Sequence, residues 1–202
     1  MPSADDLQCR AQYEATPYIQ LTPTISIEKS LVNNNNYRPA YATPKGCIFP
    51  NTLNGLLSIT LKNQEKKQLL VAVAHRERAR PFVKSINYTA LVEIPGTTLK
   101  AMPGTFLNHG ILNVFVDDVR DVEHPVFIMC TVAQGDRPTN LNSLAYDVQH
   151  LPHGYCSTDF QTKTLNIKIE FPSTDLPDAK DLYTATIEKL TKSLKHVNAQ
   201  AK

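Results

Sequence analysis

The alternation of apolar and polar residues divides the chain near Asn51. Beyond it, Leu57, Ile59 and Leu61 alternate with Ser58, Thr60 and Lys62, the period-two pattern of a half-buried strand. The polar run Asn63–Lys67 has the length of a hairpin connection, and the apolar run Leu69–His75 is its expected antiparallel partner. Ile86, Tyr88, Ala90, Val92 and Ile94 then share one face of a strand that Pro95-Gly96 ends. Leu99–Gly104 reads as a short helical turn stopped by Pro103-Gly104. Ile111–Val116 and Pro125–Val132 add two strands, the second apolar enough to be central. Gln134–Lys163 is polar and turn-rich with no clear element, which is long for a loop in a compact domain. Leu165, Ile167, Ile169 and Phe171 alternate with Asn166, Lys168 and Glu170, a clean strand that Pro172 closes.

Residues 176–197 predict a C-terminal helix. Asp175 can cap it, Pro177 suits its first turn, and Asp178 and Asp181 lie near the positive end of its dipole. Tyr183, Ile187, Leu190, Leu194 and Val197 make one apolar stripe. Residues 1–50 lack long apolar runs and carry Pro17, Pro23, Pro39, Pro44 and Pro50 among scattered tyrosines. Proline holds its preceding residue extended, so this part reads as a mostly extended N-terminal arm. It has a short strand at Thr24–Glu28 and an asparagine loop at Asn33–Asn36. The expected class is α+β: an antiparallel β-rich sheet or sandwich over 51–202, with a C-terminal amphipathic helix and the arm ahead of it.

Composition narrows the setting. The 202 residues are 42% hydrophobic, enough for one good core. No apolar run approaches the length of a membrane span. The first residues, Met1–Asp6, are acidic and lack the apolar stretch of a secretory signal, Pro2 is incompatible with myristoylation, and the last residues form no prenylation box. The expectation is an intracellular product. Cys9, Cys47, Cys130 and Cys156 are far apart and form no Cys-x-x-Cys, so free thiols are expected.

The net charge of +2 is too small for a general polyanion binder, but the charge is segregated. Basic residues gather in Lys62–Lys84 and Lys189–Lys202, and acids at Asp117, Asp118, Asp121 and Glu123. Arg76, Arg78, Arg80 and Lys84 are the candidates for contact with an anionic membrane or a nucleoprotein. The basic N-terminal arm of genome-packaging coat proteins has no counterpart here, because residues 1–50 start acidic and stay nearly uncharged.

Reaction chemistry is thinly represented. His150-x-x-His153-x-x-Cys156, with Asp159 beyond, is the one ligand-like spacing, since zinc takes imidazole nitrogen and thiolate sulfur. Cys156 beside either histidine is also a nucleophile-and-base pair in outline. No second ligand pair and no nucleophile elbow accompany them. Asp117, Asp118 and Asp121 could hold a divalent cation, but no glycine-rich phosphate loop goes with them, and the chain has only seven glycines. The expectation is a non-enzymatic protein without cofactor or small-molecule substrate. A metal- or thiol-dependent enzyme around His150, His153 and Cys156 is kept as an alternative.

Leu70–His75, then Arg80-Pro81-Phe82-Val83-Lys84, then Leu99–Pro103 resemble, in order and approximate spacing, the central strands of rhabdovirus-type matrix proteins of negative-strand RNA viruses. The resemblance covers about thirty-five residues. It implies a virion protein, or one at the inner membrane face in the host cytoplasm. Such a protein self-associates through its arm, contacts anionic membrane or nucleoprotein and promotes budding. The family's N-terminal lysine cluster and Pro-Pro-x-Tyr motif are missing, which puts membrane attachment by the arm in doubt. Tyr18-Ile19-Gln20-Leu21 has the Tyr-x-x-Leu form of a budding or sorting signal. A capsid or cement component of a non-enveloped particle, with the arm clasping neighbours, is the other structural reading.

Overall fold

The hairpin expected around Leu57 and Leu69 forms the middle of a long antiparallel pair in the computed structural model. The structure describes residues 2–33, 40–77, 91–94, 96–101, 111–116, 119, 122, 126–131 and 154–196. In chain order its elements begin with helix α1 (Ala4–Ala15), β1 (Tyr18–Thr22), β2 (Ile25–Glu28), a 3-10 turn (Lys29–Leu31) and β3 (Val32–Asn33). Next come β4 (Tyr41–Thr43), β5 (Gly46–Ile48), β6 (Thr52–Thr60), β7 (Lys66–His75), β8 (Val92–Glu93) and β9 (Leu99–Ala101). The rest are β10 (Ile111–Val116), β11 (Val126–Thr131), β12 (Tyr155–Gln161), β13 (Leu165–Pro172), a 3-10 segment (Ser173–Asp178), α2 (Ala179–Lys192) and β14 (Leu194–His196).

β6 and β7 pair from Thr52↔Ala74 to Thr60↔Lys66. Between them Leu61 N–H donates to Glu65 O at 2.8 Å, and Gln64 takes the left-handed φ of 68° that the turn requires. A nine-stranded sheet runs β3-β6-β7-β13-β12-β11-β10-β9-β8, with every described pairing antiparallel. Its alternating residues bury one face: Leu53, Leu57, Leu69, Val71, Val73, Leu165, Ile167, Ile169 and Phe171 are each at most 2% exposed. Gly55 lies where β3 crosses close to β6. A Cβ there would stand 2.8 Å from Asn33 O and 2.9 Å from Val32 Cγ2, so only glycine leaves β3 room to pair.

α2 packs through Ala179, Leu182, Tyr183, Thr186, Ile187 and Leu190, all buried. Their i, i+3, i+4 spacing places them on one stripe. The Tyr183 ring meets Phe160 and Phe171 edge-on, with centroids 5.4 and 6.2 Å away, the favoured arrangement for aromatic quadrupoles. A three-stranded sheet, β1-β2-β14, joins the two ends of the chain and lies against β6 and β7. Among the described residues, no helix is long and apolar enough to cross a membrane.

The structure is mostly antiparallel sheet with a C-terminal helix, as expected, and corrects the sequence reading at several places. Residues 1–50 are not extended throughout. Ser3 caps α1, its Oγ accepting from Asp6 N–H while an Asp6 carboxylate oxygen accepts from Ser3 N–H. α1 buries only Cys9 and Tyr13, too few positions to register as a helical period. The β2 strand agrees with the short strand expected at Thr24–Glu28. Leu99–Ala101 is a strand rather than a helical turn, because Val114 and Val116 of β10 pair with Ala101 and Leu99. Tyr155–Gln161, inside the expected loop, is β12, whose alternating burial depends on Cys156, Thr158 and Phe160. The C-terminal helix ends at Lys192, because Leu194 leaves it to pair with Ile27 of β2. Its N-cap is Asp178, and Asp175 instead bonds Lys67 at 2.8 Å. Of the strand expected over Ile86–Ile94, Val92 is 38% exposed in a two-residue edge strand and Ile94 is buried, while Ile86, Tyr88 and Ala90 lie outside the described residues.

The free thiols are the largest correction. Cys9 is joined to Cys47, and Cys130 to Cys156, leaving no free cysteine. The first bond ties α1 to β5, and the second links directly opposed residues of β11 and β12. Spacing along the chain could not show this, since each pair is brought together only by folding.

Candidate interaction surface

The strands that bury one face of the large sheet present the other to solvent. Leu70 faces outward on β7, opposite Leu56 on β6 and Glu170 on β13. Lys168, two residues before Glu170, is opposite Ala72 on β7 and Asp159 on β12. On the far side, Met129 of β11 is opposite Ser157 of β12. Phe127 is opposite Phe115 of β10, with ring centroids 5.1 Å apart. Leu70 is 43% exposed, Phe127 38%, Met129 43% and Tyr155 70%. The surface therefore has an apolar patch of Phe127, Met129 and Tyr155, a charged ladder, and a second apolar strip at Leu70. Lys168 and Glu170 bond at 2.5 Å, and the Glu170 carboxylate keeps the ammonium charged to a higher pH than usual. Asn54, Leu70, Ala72, Lys168 and Glu170 line a groove of about 200 Å³, below the usual size of a small-molecule pocket.

A second exposed apolar group lies on the β4–β5 hairpin. Tyr41 and Ile48 are cross-strand partners pointing away from α1 and are 50% and 44% exposed. Phe49 follows them and stacks on Tyr13 with centroids 6.0 Å apart.

The residues singled out from the sequence fall in different places. Arg76 is held in the fold: its N–H donates to Thr164 O at 2.9 Å and its Nη1 to Thr162 O at 2.8 Å. It pins the end of β7 to the β12–β13 turn. Arg78, Arg80 and Lys84 lie outside the described residues, as do His150, His153, Asp117, Asp118 and Asp121. Cys156 is a buried half-cystine, so in this covalent state it is neither a thiolate ligand nor a nucleophile. Among the described residues, no group of three or more His, Cys, Asp or Glu side chains is placed to hold a metal.

Tyr18 and Leu21 are both part of β1. Leu21 is 5% exposed, and Lys195 Nζ lies 4.2 Å from the centroid of the Tyr18 ring and donates to its hydroxyl. A receptor that reads Tyr-x-x-Leu would have to pull this strand out of the core. Val119 and Val122, which alternate with the acidic residues, lie on the core, with Val122 N–H donating to Val119 O at 3.2 Å.

Much of the described basic charge is occupied within the molecule, and sequence counting missed this. Lys62 meets Asp181 at 2.9 Å, and Lys67 meets both Asp175 and Glu65 at 2.8 and 2.6 Å. Burial pulls the Lys67 ammonium toward neutrality, but hydrogen bonds to the two carboxylates outweigh it and raise its pKa. Lys189 Nζ donates to Ser58 O at 2.6 Å, and Lys195 reaches Tyr18 and Glu28. The exposed apolar residues were legible only as members of apolar runs. Which of them face solvent depends on register. No protein-family model matches the chain, and neither a curated protein nor a solved structure matches it.

Proposed function

We propose that this chain is a non-enzymatic structural protein that works by associating with copies of itself, of the matrix-like kind that its sequence resembles. The supporting observation is the patch formed by Phe127, Met129 and Tyr155 on neighbouring strands, three large side chains that remain exposed on an ordered sheet. Burying such side chains contributes about 25 cal/mol per Å² of apolar area, so a surface of this kind gains by contact. Lys168, Glu170 and Asp159 beside the patch supply charges of both signs, which suits a self-complementary contact.

Contact with an anionic membrane or nucleoprotein then falls to Arg78, Arg80 and Lys84, because Arg76 is engaged within the fold. Each basic residue contributes about 1 kcal/mol near an anionic leaflet, so many copies together would hold where one would not. A virion location at the inner membrane face belongs to the same proposal. The two disulfides favour a second reading, a capsid or cement component, since such bonds persist in particles that meet an oxidising environment.

Light scattering of the full chain over a concentration series tests self-association. Oligomers are expected, with a Met129→Glu, Tyr155→Asp variant shifted to monomer. A monomer at every concentration overturns the proposal. Flotation with phosphatidylserine vesicles at low salt separates the two readings: co-flotation supports the matrix-like one, and its absence the capsid or cement one.

A further inference from the structure

The two disulfides differ in what they hold and in how solvent reaches them. Cys130 and Cys156 are both 0% exposed between interior strands of the large sheet. Cys9 is 3% exposed on α1, but its partner Cys47 is only partly buried on β5 of a two-stranded hairpin. The exposed Gln12 side chain lies against it, with Oε1 3.5 Å from Cys47 Sγ. Thiol–disulfide exchange needs a thiolate to reach a sulfur, so access separates the two bonds.

What the first bond holds is also distinct. Among the described residues, few groups besides the disulfide tie α1 down. Asp6 Oδ1 accepts from Ala42 N–H at 2.9 Å, Tyr13 stacks on Phe49, and Lys29 Nζ lies 3.6 Å from the centroid of the Tyr13 ring and donates to Tyr13 O. Cys9 is itself one of the helix's two buried residues. A helix of 12 residues is marginal in water without tertiary support.

We propose that Cys9–Cys47 is an exchangeable latch on the N-terminal helix, closed when oxidised and open when reduced, while Cys130–Cys156 stays closed in the folded protein. A small thiol such as glutathione attacks Cys47 Sγ as the thiolate and forms a mixed disulfide. The bond to Cys9 breaks, and the Cys9 thiolate leaves and takes a proton from water. A second glutathione thiolate attacks the glutathione sulfur of the mixed disulfide and expels Cys47 as thiolate. Two glutathione thiols are thereby oxidised to one disulfide, and the protein disulfide is reduced to two thiols. Oxidised glutathione drives the reverse and closes the latch. Opening exposes Tyr13 and the inner side of the β4–β5 hairpin next to Tyr41, Ile48 and Phe49, which are already exposed. The latch does not depend on the proposed self-association.

The test uses the full oxidised chain in native buffer with reduced glutathione. Timed quenching with N-ethylmaleimide and peptide mapping follow the four cysteines. Cys9 and Cys47 are expected to be alkylated at least about tenfold sooner than Cys130 and Cys156, because access governs the rate. Equal rates, the opposite order, or labelling of all four only on unfolding overturns the proposal. Hydrogen exchange on the same samples is expected to quicken across Leu7–Ala15 and to stay unchanged in β7 and β13. Exchange in α1 that ignores reduction overturns it. A Cys9→Ala, Cys47→Ala variant is expected to fold and to show the fast α1 exchange in either redox state. Its failure to fold overturns the latch, since the sheet must stand without it. Oxidised glutathione is expected to restore the slow exchange in the native chain, and failure to do so overturns reversibility.

Discussion

The two described helices, α1 and α2, are held to the molecule by opposite means. α2 buries six residues of its 14 and needs no covalent tie. α1 buries two of its 12 and, among the described residues, depends on a disulfide, the Tyr13–Phe49 stack and a few polar contacts. The same chain uses packing where an apolar stripe is available and cross-links where it is not. Packing is spread over many contacts and fails gradually. A cross-link acts through one bond and responds to chemistry that packing ignores.

The largest loss of stability is expected at the centre of α2. Ile187→Ala removes a side chain that is 1% exposed and is expected to cost about 2–5 kcal/mol, read as a lower urea midpoint at unchanged m-value. Leu7→Ala on α1, where Leu7 is 53% exposed, is expected to stay within about 0.5 kcal/mol by the same measurement. Replacing Cys9 and Cys47 together by alanine opens a loop with a sequence separation of 38. It is expected to lower the stability of the oxidised protein by about 2–4 kcal/mol, measured by thermal unfolding with and without reductant. If reductant lowers the variant's melting temperature as much as that of the native chain, the N-terminal disulfide contributes nothing of its own.

Tyr183 lies on the buried stripe of α2. Burial against Phe160 and Phe171 pushes its phenol well above the ordinary value of 10.0. The folded state thus keeps this proton more tightly than the unfolded state does. The contribution of this group is fully present below pH 10.0 and is lost as the pH rises above it. In an alkaline absorbance titration Tyr183 is expected to ionise only with unfolding. That step should be absent from Tyr183→Phe, and a smooth titration of all tyrosines in the native chain refutes the assignment.

The smallest effects lie in the polar ties of α1. Ser3→Ala removes half of the capping box and is expected to cost about 1 kcal/mol, seen as faster amide exchange in α1 alone. The Ala42 amide, with help from Ser3, holds the Asp6 carboxyl below the ordinary 3.8. Its contribution is present above that pH and is lost as the pH falls through the lower folded value. Protection of the Ala42 amide, taken relative to its intrinsic exchange rate, is therefore expected to fall on acidification below pH 3.8, with no matching change in α2, and Asp6→Asn should abolish the dependence.

How much could be read in advance follows the same division. The strands at Leu57–Leu61 and Leu165–Phe171 were legible because a buried face forces a period of two on each of them, and those at Leu69–His75 and Ile111–Val116 because they are apolar runs of strand length. The middle of α2 was legible because a stripe at period 3.6 leaves the same kind of record. α1 was not, since Cys9 and Tyr13 are too few to set a period, and the prolines further along pulled the reading toward extended chain. β12 was missed because its inward residues include Cys156 and Thr158, which do not look apolar. In the candidate surface, Leu70 and Met129 were indistinguishable from core residues.

The class of the protein, an antiparallel β-rich chain with a C-terminal helix, is written in its residues. The strands and the helix that bury a full apolar face carry that face in their own residues. Only the tertiary structure decided the partners: Cys9 with Cys47, Cys130 with Cys156, Leu194 with Ile27, and Lys62 and Lys67 with acids more than a hundred positions away. Pairing of this kind depends on which surfaces meet across the sheet, and no local period in the chain records it.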